Sequence, residues 1–104
     1  MNTNTEFIQT NLKKSFVAAV ELQRKLKEKK SFICLTTEPY KLKSKVRALP
    51  PKAKCIQSNK PPRAAIIHSP NINIVKLEHL TNADCAAGLI KIKNQQVVLS
   101  LIHI

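Results

Sequence analysis

The 104-residue chain carries only six acids against eighteen Lys and Arg, so the position of each carboxylate matters. One of them, Glu38, lies in Leu-Thr-Thr-Glu-Pro-Tyr, residues 35–40, between the apolar run Phe32, Ile33, Cys34, Leu35 and a proline. A carboxylate at a strand end has two uses. It can be a solvated terminus paired with a nearby lysine, which contributes little when exposed. It can also be a metal ligand. Asn11 is the second polar candidate; an Asn at a strand end either bonds its own backbone or helps to organise a site. Tyr40, directly after the proline, either borders a binding groove or covers the edge of the core. Lys41, Lys43, Lys45 and Arg47 open a stretch, residues 41–63, with eight basic residues and no acid. Such a stretch can track phosphates, or it can be a solvated loop.

The net charge of +12 favours a polyanionic partner, usually nucleic acid, through phosphate neutralisation and counterion release. Cys34, Cys55 and Cys85 are widely spaced, contain no CxxC, and have no histidine at zinc-finger distance from a cysteine pair. This argues against a structural zinc site and for a reducing compartment. His68 and His79 have the placement of ordinary core-edge or surface residues. The opening residues lack a basic region followed by an apolar stretch, and no apolar run approaches the roughly 18 residues of a bilayer span. The expectation is therefore an intracellular protein, nuclear or cytoplasmic, with no membrane segment.

The elements that must position these residues follow from periodicity. Residues 6–12 mix apolar and polar positions and predict a strand ending near Asn11. From Ser15 to about Lys29, Phe16, Ala19, Leu22 and Leu26 recur at three- and four-residue spacing, which predicts a helix with Ser15 as N-cap. Phe32–Thr36 predicts a strand buried on both faces. Strand, helix, strand makes a βαβ unit whose strands are parallel neighbours, so Asn11 and Glu38 should share the carboxyl edge of one sheet, where sites form in open α/β sheets. Pro50, Pro51, Pro61 and Pro62 predict mostly loop across 41–63, with a short strand at Lys54–Gln57. Beyond it, Arg63–His68, Ile72–Leu77, Ala86–Lys93 and Gln95–Leu99 predict strands, the last two joined at Asn94. One partial α/β domain, with its core at 6–99, is expected.

Gln-Thr-Asn-Leu ending a first strand, an intervening helix, Glu38-Pro39-Tyr40 ending a second, and Pro-Arg-Ala-Ala-Ile-Ile-His-Ser-Pro-Asn after it form a recognisable set. Together they resemble the N-terminal part of the endonuclease/exonuclease/phosphatase family. The nearest likeness is to the apurinic-type endonuclease domain that begins the reverse-transcriptase polyprotein of non-LTR retrotransposons. The resemblance implies a four-layered α/β sandwich, two mostly antiparallel sheets with outer helices, of which this chain holds the N-terminal portion. It implies Mg²⁺-dependent nicking of DNA for target-primed integration. Glu38 would be the metal ligand, Asn11 would help to organise the site, and Tyr40 and the basic run Lys41, Lys43, Lys45, Arg47 would lie toward the nucleic acid. The family's later motifs are absent: a Tyr soon after a strand like Gln95–Leu99, an Asp-x-Asn, and a terminal Asp-His pair. The one Tyr is Tyr40, the one Asp is Asp84, and His103 has no partner motif. The resemblance thus implies a fragment inactive by itself; a small basic nucleic-acid-binding module without catalysis is the alternative.

The last six residues, Leu-Ser-Leu-Ile-His-Ile, are also the translation of CTG TCT CTT ATA CAC ATC, one frame of the mosaic-end adapter used in transposase-made sequencing libraries. The expectation is that the reading frame passes from transposon into adapter after Val98, against the alternative of a natural apolar strand end. Unprocessed genomic reads across codon 98 discriminate the two.

Overall fold

The computed structural model describes residues 5–92 and 95–103. In chain order the elements are β1 (Glu6–Asn11), α1 (Phe16–Lys27), β2 (Phe32–Thr37), β3 (Lys41–Leu42), β4 (Lys45–Val46), β5 (Lys54–Ile56), β6 (Ala64–His68), β7 (Ile74–Lys76), a 3-10 turn at Glu78–Leu80, β8 (Cys85–Ile92) and β9 (Gln95–Ile102). The architecture is the expected mixed α/β one. A four-stranded sheet has the order β1-β2-β6-β5, a three-stranded sheet the order β7-β8-β9, and β3-β4 form a two-stranded ribbon. Crossing through α1 makes β1 and β2 parallel; every other pairing is antiparallel.

Alternation along β2 and β6 explains the layering. Phe32 and Cys34, with Ala65 and Ile67, face one way and pack under Leu26 and Leu22 of α1. Ile33 with Ala64 and Ile66 faces the other way and meets Ala86, Ile90 and Leu101 of the second sheet. This is why Phe32–Leu35 reads as an unbroken apolar run: both faces of its sheet are covered. Helix, sheet and sheet make three layers. The outer face of the second sheet exposes Val75, Val98 and Ile102, and no α-helix among the described residues covers it. α1 starts where expected, with the Ser15 hydroxyl accepting the Ala18 amide at 3.1 Å, and ends with Arg24, Lys25 and Lys27 at the negative end of its dipole.

The turns resolve a compositional oddity. The chain has one glycine, yet among the described residues seven take positive φ, all non-glycine: Lys13, Lys14, Glu38, Lys43, Ser44, Ala48 and Lys52. Lys43 and Ser44 are the two-residue loop of the β3-β4 ribbon, where both central residues must be left-handed to match the strand twist. That ribbon replaces part of the expected loop. It is held from outside by Gln57, which accepts the Val46 amide at 3.0 Å and donates to the Ser44 carbonyl at 3.1 Å. The strand expected at Gln95–Leu99 continues to Ile102, in register with β8 as far as Cys85. Its alternation persists, since Leu99 and Leu101 both turn toward the core. The turn expected at Asn94, and Lys93 before it, lie outside the described residues.

Candidate functional site

Parallel pairing in the register Asn11↔Thr37 brings the carboxyl ends of β1 and β2 side by side, so Asn11 and Glu38 leave the sheet together. Asn11 Nδ2 lies 3.5 Å from Glu38 Oε2, while Asn11 Oδ1 accepts the Lys13 amide at 2.8 Å. The side chain thus closes its own turn and reaches the Glu38 carboxylate. Glu38 sits at φ 48°, a left-handed conformation that residues with a Cβ avoid unless their surroundings enforce it. Three backbone hydrogen bonds enforce it: Leu12 donates to the Thr37 carbonyl at 3.0 Å, Lys14 to the Glu38 carbonyl at 2.8 Å, and Glu38 to the Arg63 carbonyl at 2.9 Å. Pro39, fully buried, fixes the direction in which the chain leaves.

Two residues with no assigned part in the sequence reading complete the cluster. His103 Nε2 lies 3.3 Å from Glu38 Oε2, and His103 Nδ1 lies 4.0 Å from Asp84 Oδ1. Asp84 is in turn paired with the Arg63 guanidinium. His103, expected to stand without a partner, therefore has two carboxylates beside it. The cause is the β8-β9 register, which ends with the His103 amide donating to the Asp84 carbonyl at 2.7 Å; no local motif announces such a pairing. The hydrogen bond from His103, and after it that from Asn11, hold the Glu38 carboxyl below the usual carboxylate range. Arg63 does the same for Asp84.

The donor set fits a hard cation held mainly by water. Glu38 offers a partly exposed carboxylate, the oxygen chemistry that suits Mg²⁺, while the Asn11 amide oxygen accepts the Lys13 amide. Among the described residues no group of three or more His, Cys, Asp or Glu forms a metal cage, so a cation here would rest on Glu38 and solvent.

The basic residues divide into two groups. Lys41 opens β3 beside the site, half-buried; burial first, then the positive charges of Lys14 and Arg63, push its ammonium pKa down. Tyr40 lies against Phe16, ring centroids 5.0 Å apart at 59°. Lys43 and Lys45, on the ribbon, line a shallow groove with Gln57, Ser58 and Lys76. Arg47 is exposed, its amide donating to the Tyr40 carbonyl at 3.1 Å. Lys14 and Arg63 were not singled out as site residues. The adjacency of Lys13-Lys14 to Asn11, and of Arg63 to the β6 run, was the available signal. No helix among the described residues is long and apolar enough to cross a membrane.

No protein-family model and no curated protein sequence matches the chain. Among solved structures it is similar to the endonuclease domain of TRAS1, a telomere-specific non-LTR retrotransposon, with a TM-score of 0.69 and 18% sequence identity over 94% of this chain and 45% of that one. At that identity the likeness is one of fold. The chain spans under half the length of the structure it matches, 45%.

Proposed function

We propose that this chain is the N-terminal portion of an endonuclease/exonuclease/phosphatase-type domain of a non-LTR retrotransposon, joined in its parent to a reverse transcriptase. On this reading it carries part of an Mg²⁺-dependent site for DNA phosphodiester cleavage. The observation that carries it is the Asn11–Glu38 pair, held 3.5 Å apart at the carboxyl edge of two parallel strands by a strained, three-bonded backbone. The fold likeness to a retrotransposon endonuclease domain supports the class of reaction.

When bound, Mg²⁺ would supply Lewis-acid stabilisation of charge on the phosphoryl and leaving oxygens. Glu38 would hold it, and Asn11 would keep the carboxylate turned outward. Lys14 and Lys41 would draw the polyanion to this edge. In-line attack also needs a base aimed at water. The imidazole at this site, His103, faces the Glu38 carboxylate through Nε2 and Asp84 through Nδ1, so neither nitrogen is aimed at a nucleophile. The chain by itself is accordingly read as binding without turnover.

Two measurements test this. Titrating Mg²⁺ into ¹⁵N-labelled protein should shift the amides of residues 11–14, 38, 40 and 41 and leave them still in Glu38→Gln. Shifts that persist in Glu38→Gln, or spread evenly over the surface, would remove Glu38 as the ligand and favour a basic nucleic-acid-binding module without catalysis. Supercoiled plasmid with Mg²⁺ should stay un-nicked; turnover that Glu38→Ala abolishes would overturn the claim of inactivity.

A further inference from the structure

Two aromatic rings stand at the rim of the site for reasons the core does not supply. The chain has three Phe and one Tyr, and its two packed interiors are built from aliphatic side chains, cysteines and one aromatic ring, Phe32. Phe16, the first residue of α1, is 55% exposed, and its ring rests on that of Tyr40 at 5.0 Å. The backbone brings cations to the same place. Lys14, two residues before Phe16, donates its amide to the Glu38 carbonyl, and Arg63 accepts the Glu38 amide. Lys41 follows Tyr40 directly, partly buried and within range of the charges of Lys14 and Arg63. Arg63 is engaged by Asp84; among the described residues Lys14 and Lys41 make no ion pair.

An exposed ring braced by a second ring, with cations on either side along the chain, matches the chemistry of a nucleotide: a π-face to stack and phosphates to neutralise. We propose that Phe16, backed by Tyr40, is a stacking platform for one unpaired nucleobase, and that Lys14 and Lys41 hold the phosphates flanking it. The edge therefore prefers single-stranded or locally opened nucleic acid to regular duplex, whose bases have no free face. This rests on the nucleic-acid reading above, but uses no residue of the segment 99–104.

The test is fluorescence anisotropy with three labelled 12-mers: single-stranded DNA, the same sequence as duplex, and an abasic strand of tetrahydrofuran sites with the same phosphates. Wild type should bind the single strand more tightly than the duplex. Base–aromatic stacking implies that Phe16→Ala weakens single-strand binding by roughly 5- to 150-fold, with abasic binding unchanged. Phe16→Leu, which keeps an apolar side chain at this exposed position, should lose the same preference while melting like wild type. Lys14→Gln with Lys41→Gln should weaken all three. If wild type binds all three and Phe16→Ala or Phe16→Leu lowers them equally, or not at all, the platform is overturned while the nucleic-acid reading stands. If wild type binds none, both fall.

Discussion

Glu38 joins a charged side chain to a left-handed backbone at the rim of a sheet, and the energy for holding it there comes from elsewhere. Its carbonyl and amide are both spent on neighbouring segments, so its carboxylate is presented by a frame, not by a flexible loop. His68 shows the opposite case, a titratable group fixed for packing. It is buried at the end of β6, with Nδ1 2.9 Å from the Ser69 carbonyl. Burial pushes its pKa down, with a small addition from Lys54, against the opposing effect of the Ser69 bond. Above the unfolded value of about 6.5 it is neutral in both states. As pH falls through that value the unfolded chain takes up a proton that the folded one refuses, so stability drops. Urea melts between pH 7.5 and 5 should show this loss, and His68→Asn should flatten that part of the slope.

At the level of elements, β8 is the middle strand of the second sheet and packs against the first. Gly88 faces inward, and a Cβ there would stand 2.5 Å from Ile74 Cγ2 and 2.9 Å from Ile56 Cδ1. The Ile74 side chain of the neighbouring strand β7 and the Ile56 side chain of the facing sheet fill the space a Cβ would need. Gly88→Ala should cost about 1–3 kcal/mol by overpacking, read as a lowered midpoint in denaturant with unchanged slope. The ribbon β3-β4 depends on a different device. Two strands of two residues each cannot stand alone, and Gln57 supplies the hydrogen bonds that make the ribbon an element. Lys43 and Lys45 are placed by those bonds together with buried Val46, which seats the ribbon on the core.

For the molecule as a whole, charge and exposed apolar surface are the dominant facts. The excess of twelve positive charges should make nucleic-acid binding steeply salt-dependent. Each phosphate neutralised on a single strand contributes about −0.7 to the slope of log K against log salt. Replacing Lys43 and Lys45 by Gln should flatten that slope by up to about 1.4 if both contact phosphates; an unchanged slope would show that their groove is not part of the path. The open face of the second sheet, with Val75, Val98 and Ile102 exposed, and the edge of β9, which pairs with no further strand among the described residues, together make the chain prone to association.

Sequence alone determined the βαβ unit, the N-cap at Ser15, the two-faced burial of Phe32–Leu35, and the meeting of Asn11 with Glu38. Each rests on local periodicity or on the handedness of a crossover, which neighbouring residues encode. Only the tertiary structure decided that Glu38 is left-handed, that Lys14 and Arg63 clamp it through their backbones, that Phe16 backs onto Tyr40, and that His103 reaches two carboxylates. Those contacts join segments far apart in the chain. They depend on strand register and sheet packing, which no short stretch of sequence contains.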